Sequence, residues 1–146
     1  MTLSEMRDRI GSLKDNFEDI SRDIVLDSVS QDLIVEIQKD QMMHGEDAYG
    51  NKIEPEYSNF YYARFKNRIN PRAGFGVPDL RSTGSFYNQF YLNEYTLRVN
   101  SMDDKTGSLV QEYGESIFGL NEGSLEKYCP YFKRRLKEKV ETILES

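Results

Sequence analysis

Seven apolar residues at the start of the chain, Leu3, Met6, Ile10, Leu13, Phe17, Ile20 and Ile24, recur at alternating spacings of three and four. At 3.6 residues per turn this pattern collects them on one narrow stripe, so the segment reads as a helix. Arg7, Asp8, Arg9, Lys14, Asp15, Glu18, Asp19 and Arg22 fall between them, as a solvated face requires. Thr2 or Ser4 is placed to cap its start. Such a stripe must be covered, by the chain's own core or by a helix of another subunit. Gly11 costs about 1 kcal/mol relative to Ala inside a helix, which favours the chain's own core over a coiled coil.

A second helical pattern runs from about Ser30 to Met43, capped by Asp27 or Ser28, with Leu33, Ile34, Ile37 and Gln38 facing inward. His44–Ile53 is rich in Gly, Asn and Asp and reads as a turn or short hairpin. Ser58 to about Arg68 reads as a helix with Tyr57, Tyr61, Phe65 and Ile69 on one face and Arg64, Lys66 and Arg68 pointing elsewhere. Asn70–Pro78, with Pro71, Gly74, Gly76 and Pro78, must form a loop. Flanked by basic residues, it is a candidate arm for contact with a partner. Phe86–Leu92 and Tyr95–Val99 are strand-like around a short Asn93-Glu94 connection, which predicts an antiparallel hairpin. A short helix over Leu109–Tyr113 ends at Gly114. Asn121 then caps a C-terminal helix, which Pro130 should kink or divide.

These elements predict an α+β fold with N-terminal helices, a small antiparallel β-sheet or hairpin in the middle and a C-terminal helix. At 146 residues it is one domain, 1–146. Its parts are a helical segment 1–44, a loop-rich β region with a short helix 45–120, and the terminal helix 121–146. Ten Tyr and eight Phe argue against disorder, although charged residues make up 30%. No apolar run is long enough to span a membrane. Met1–Asp8 carries charge where a secretory leader needs an apolar core, so export by that route is not expected.

The chemistry-bearing residues are sparse. One His, His44, and one Cys, Cys129, leave no disulfide and no multi-Cys zinc site. Cys129, next to Pro130 in a helical stretch, reads as a buried inert thiol. No P-loop, dinucleotide fingerprint or nucleophile elbow occurs. The expectation is no enzyme, no catalytic residue, no cofactor and no metal.

Charge is uneven. Residues 1–50 hold 5 basic and 12 acidic side chains, a net of −7, whereas residues 51–100 hold 7 and 4, a net of +3. An acidic end beside a basic middle suits head-to-tail contact between copies, two partners of opposite sign, or simply a solvated surface. Tyr61, Arg64, Lys66, Arg68, Arg72, Phe75 and Arg81 are the candidate partner or oligomer interface, because Tyr and Arg concentrate binding energy. The same basic and aromatic interleaving over 57–72 could serve a nucleic-acid-binding module through stacking and phosphate contact. The whole-chain pI of 4.9 speaks against a free-standing one. The plainest packing for this helix buries the aromatics and leaves the cations in water.

Some residues occur in a familiar order. Asp47-Ala48-Tyr49-Gly50-Asn51-Lys52-Ile53 is followed by Tyr57-Ser58, a basic and aromatic helix, and Leu80…Thr83-Gly84-Ser85-Phe86 before a hairpin. Tyr113-Gly114…Ile117-Phe118-Gly119-Leu120 then precedes the terminal helix. Over about residues 45–146 this resembles the tail-completion and head–tail joining (neck) proteins of tailed bacteriophages and prophages, of the phage virion morphogenesis type. The resemblance implies a structural virion protein, made in the host cytoplasm and built into the particle. It implies a homo-oligomeric ring that bridges portal or head-completion proteins and tail proteins. Passive contact with phage DNA in the lumen is compatible with it, and membrane contact is not expected.

Overall fold

The N-terminal stripe is divided at Asn16 into α1 (Leu3–Asp15) and α2 (Phe17–Val25). The computed structural model describes residues 2–145, so Met1 and Ser146 lie outside it. The Asn16 side-chain amide donates to the Ser12 carbonyl at 2.8 Å, a local bond that competes with helix continuation. Thr2 caps α1 through a reciprocal bond pair with Glu5.

Both helices lie along α7 (Glu122–Glu145), and Arg9 donates to the Leu144 carbonyl at 2.8 Å. The stripe therefore meets the C-terminal helix rather than the main core. Only Ile24 at its end is fully buried, and Leu3 is 87% exposed. α7 is one helix through Pro130, not the divided pair that the proline allowed for. Pro130 and Glu126 both lie on an exposed stretch, so the carbonyl that loses its N–H partner faces water.

α3 (Ser28–Met43) is capped by Asp27, whose carboxylate accepts from the Ser30 amide at 2.7 Å. It brings Ile34, Ile37 and Met42 to a core shared with Ile53, Phe86, Tyr87, Phe90, Leu92, Val99, Ile117, Phe118 and Tyr128. That cluster draws on the N-terminal, middle and C-terminal parts of the chain alike. Phe86, Phe90 and Phe118 pack at ring-centroid distances of 5.0 and 5.8 Å. Burying each ring is worth roughly 1.5–3 kcal/mol.

The middle is α+β as expected, with shifted boundaries. After α4 (Phe60–Ile69) and a 3₁₀ turn over Pro71–Ala73, residues Ser85–Asn88 form the short helix α5 instead of opening a strand. A strand would send the adjacent Phe86 and Tyr87 to opposite faces. A helical turn directs both, with Phe90, into the core. β1 (Phe90–Leu92) pairs antiparallel with β2 (Val99–Ser101), with Phe90 opposite Ser101 and Leu92 opposite Val99.

The connection is longer than Asn93-Glu94. The Asn93 carboxamide accepts from the amides of Tyr95 and Thr96, at 2.9 and 3.1 Å, and turns the chain before β2 begins. Tyr95 is exposed as a result. α6 (Thr106–Tyr113) and a 3₁₀ turn over Glu115–Ile117 lead into α7. There the Asn121 carboxamide oxygen accepts from the Ser124 amide at 3.0 Å.

Two buried glutamines of α3 hold the Ile117–Asn121 segment. Gln38 accepts from the Gly119 amide at 2.9 Å, and Gln41 accepts from the Asn121 amide at 2.9 Å while donating to the Gly119 carbonyl at 2.8 Å. One turn apart on the same face, they satisfy backbone groups that burial would otherwise leave unpaired.

Candidate functional site

α4 is built inside out relative to the plainest reading of its sequence. Ala63, Lys66 and Asn70 sit at positions i, i+3 and i+7, one helix face, and that face is the buried one. The small Ala63 permits close approach. The Lys66 ammonium lies 2.8 Å from Asp79 Oδ1 and also donates to the Arg81 carbonyl. Asn70 donates to Asp79 Oδ2 at 2.9 Å and to the Met43 carbonyl at 2.6 Å, and the Arg81 amide donates to Asp79 Oδ1 at 3.0 Å. The Tyr87 hydroxyl donates to the Asp79 carbonyl. Burial, and then the Asp79 charge, push the Tyr57 and Tyr87 hydroxyls well above the ordinary tyrosine range, so both stay protonated.

With that face turned inward, the opposite one is left in water. At 100° per residue, Tyr61, Arg64, Phe65 and Arg68 all project from the same side of the helix. The aromatics and the arginines thus share a face instead of dividing the helix between them. Tyr61 is 79% and Phe65 55% exposed, and Ile69 beside them is exposed too. Phe60 packs on Tyr61 at 5.8 Å and on Phe75 at 5.6 Å between ring centroids, which carries the aromatic surface onto the following loop. Arg64 and Arg68 have no ion-pair partner among the described residues. Arg72 is exposed on the 3₁₀ turn that packs against α4.

Of the seven interface candidates, Tyr61, Arg64, Arg68 and Phe75 therefore come together, with Arg72 adjoining. Lys66 does not belong to that surface: its charge is spent inside the fold on Asp79. Arg81 is exposed at the edge of the α4 surface, sharing one cavity with Phe65 and Ile69 and another with Tyr57, Tyr62, Thr83 and Lys105.

The Asn70–Pro78 loop is anchored to the body of the fold. Pro78 and Ala73 are buried, Lys52 donates to the Ala73 carbonyl at 3.1 Å, and the loop presents only Arg72 and Phe75 as large exposed side chains.

Sequence reasoning missed Phe60 as the link to Phe75, and Asp79 as the hub. Asp79 had a signal: it is the lone acid between Glu56 and Glu94, a span holding five basic residues. Cys129 is exposed rather than buried, on the wet side of α7 with Glu126 and Pro130. Its thiol stands on an ordinary helix surface. Among the described residues, no three His, Cys, Asp or Glu side chains gather as metal ligands, and no helix is long and apolar enough to cross a membrane.

The α4 surface offers apolar area, stacking faces and fixed positive charge, and a cavity of about 180 Å³ lined by Phe65, Lys66, Ile69, Asp79 and Arg81 adjoins it. No protein-family model, no curated protein and no solved structure matches this chain.

Proposed function

We propose that this chain is a structural protein of a tailed-phage or prophage virion, a head–tail connector, neck or tail-completion part. In this reading it works by ring oligomerisation and by bridging portal and tail proteins. The observation that carries the proposal is the α4 surface, where Phe60, Tyr61, Phe65, Ile69 and Phe75 are exposed together beside unpaired Arg64 and Arg68. A contiguous apolar patch in water marks an interaction site. Aromatic and Arg side chains at its centre are those that dominate interface energies. The ordered motifs over 45–146 and the opposite charges of the first two thirds of the chain support the same reading.

The test is the mass of the purified protein by light scattering after size exclusion, and its copurification with coexpressed portal and tail proteins. Concentration-dependent oligomers or capture by either partner is the expected outcome. A monomer at every concentration that captures neither partner overturns the proposal.

Nucleic-acid binding by residues 57–72 is the second reading, favoured by Arg64 and Arg68 standing among Tyr61 and Phe65 on one face. It requires retention of DNA or RNA on a filter at low salt, lost steeply as salt rises.

A further inference from the structure

Between α4, the Arg81–Ser85 segment and α6 lies a cavity of about 140 Å³. At roughly 30 Å³ per water it has room for about five waters, or for one tetrahedral oxyanion with space to spare. Two cations line it, Arg81 and Lys105, together with the hydroxyl residues Ser82, Thr83 and Ser85. No carboxylate is among the described residues of its lining.

Both cations are uncommitted. The Arg81 guanidinium makes no hydrogen bond or ion pair among the described residues. Lys105 Nζ reaches only Ser85 Oγ, at 3.4 Å. Three acids stand near but outside the lining, and each is engaged elsewhere. Asp103 accepts from the Lys105 amide at 2.8 Å and from Gln89 Nε2 at 3.0 Å, one bond on each oxygen. Asp79 is spent on Lys66 and Asn70, and Glu112 on the Tyr113 hydroxyl.

The Arg81 backbone, by contrast, is fully used. Its amide donates to Asp79 Oδ1 at 3.0 Å and its carbonyl accepts from Lys66, so the buried hub fixes the residue and leaves its side chain exposed. Leu80 before it is held at φ +58°, a region leucine rarely adopts. Ser85 Oγ accepts from Thr83 Oγ1 at 3.2 Å as well as from Lys105, which ties the hydroxyl segment to the start of α6. Like charges set around one small cavity repel, a cost that a bound anion reverses.

The donor set also selects the anion. A guanidinium fork, an ammonium and hydroxyls suit a tetrahedral phosphate better than a planar carboxylate, which a single Arg satisfies. Two positive charges match a phosphate monoester, which carries about −1.5 to −2 near pH 7. A diester carries only one negative charge. The rest of the wall is apolar, from Leu80, Phe86, Leu109 and the Tyr62 ring, and suits an organic group attached to the phosphate.

We propose that this cavity binds a small phosphate monoester. Arg81 and Lys105 take the phosphate oxygens, the Ser82 and Thr83 hydroxyls complete the shell, and the ester group lies against Tyr62 and Leu109. The site goes beyond the structural reading of the chain and does not depend on it.

The experiment titrates the isotope-labelled full chain with phenyl phosphate and follows the backbone amides by NMR, with sodium chloride at matched ionic strength as the control. The amides of residues 81–85 and of Lys105 should shift and saturate, with Kd of about 1 mM or below. Arg81→Gln and Lys105→Gln change exposed side chains and should melt within about 3 °C of wild type. Each should weaken binding by about fivefold or more, whereas Lys133→Gln, on the exposed side of α7, should leave it unchanged.

Shifts that sodium chloride reproduces, or that never saturate, overturn the site. So do Arg81 and Lys105 variants that bind as wild type does, or a Lys133 variant that loses as much as they do. An oligothymidylate without terminal phosphates that displaces phenyl phosphate from these amides overturns the monoester assignment and gives the cavity to a nucleic-acid backbone.

Discussion

Lys66 Nζ sits 2.8 Å from Asp79 Oδ1, and both side chains are buried. Desolvating two charges offsets much of their attraction, so the pair adds little over an apolar pair of the same size. Removing one partner is a different matter, because the other stays buried and unpaired. Lys66→Ala should cost about 3–5 kcal/mol in urea denaturation, whereas Arg64→Ala on the wet face should cost under about 0.5 kcal/mol. Equal effects for the two substitutions would show that Lys66 is solvated in solution and the hub does not form.

Gly45 and Gly50 separate backbone strain from steric contact. Both have positive φ, +66° and +82°. A Cβ on Gly45 would lie 2.5 Å from Val77 Cγ1, whereas one on Gly50 meets nothing within 4 Å. Gly50→Ala should therefore cost only the left-handed penalty, about 1–2 kcal/mol. Gly45→Ala adds an overpacking cost of about 1–3 kcal/mol against the loop that carries Phe75. Thermal denaturation of the two variants checks the order; a Gly50 variant as damaged as the Gly45 variant contradicts it.

Gln41 joins α3 to the start of α7 through two buried bonds, to the Asn121 amide and the Gly119 carbonyl. Gln41→Leu keeps the bulk and leaves both backbone groups unpaired, at about 1–3 kcal/mol for each group. Hydrogen exchange should show the Asn121 amide losing protection well before the amides of β1. Unchanged protection at Asn121 would mean that water or another group replaces the glutamine.

Asp27 gives the fold an acid-sensitive joint. Burial alone would raise its carboxyl, but the Ser30 amide, the Tyr131 hydroxyl and the Arg135 guanidinium outweigh that and hold it below the ordinary aspartate range. A carboxyl lowered by folding stabilises when ionised. Its contribution is complete above the unfolded-state value near 3.9, and it is lost as pH falls through the lower folded value. Asp27→Asn keeps an N-cap oxygen and removes the charge. The urea midpoint of this variant should therefore fall less steeply than that of wild type between about pH 5 and pH 2. Parallel curves for the two proteins would exclude Asp27 from acid unfolding.

What could be read from the residues was what local physics decides. Helical periodicity placed the N-terminal stripe and α3, though not the break at Asn16; Asp27 or Ser28 and Asn121 marked the caps, and the Gly and Pro cluster after α4 marked a loop. Choices made by tertiary packing were hidden. On α4 a stripe of Tyr61, Phe65 and Ile69 is as good an inward face as Ala63, Lys66 and Asn70. Only Asp79, distant in sequence, decides which is buried. Phe86 and Tyr87 read equally as strand residues until the core demands both on one side. Gln38 was legible as inward-facing, but its partner, the Gly119 amide, lies far along the chain.

The exposed face of α4 also makes a prediction about the isolated fold. Tyr61, Phe65 and Ile69 are half or more exposed, so little apolar area leaves water when the chain folds around them. At about 25 cal/mol per Å² of area buried, their contribution to the fold is correspondingly small. Tyr61→Ser/Phe65→Ser/Ile69→Ser should change unfolding free energy by no more than about 1–2 kcal/mol, mostly through the part of each side chain that is buried, since Ser, Tyr, Phe and Ile have similar helix propensities. Serine in place of Phe86, Phe90 and Phe118 should unfold the protein outright, since each truncation loses the buried ring and leaves a cavity, at a cost of about 3–5 kcal/mol. If the triple α4 variant instead unfolds at low urea, the face is packed in solution. Its aromatics would then belong to the core rather than to an interface.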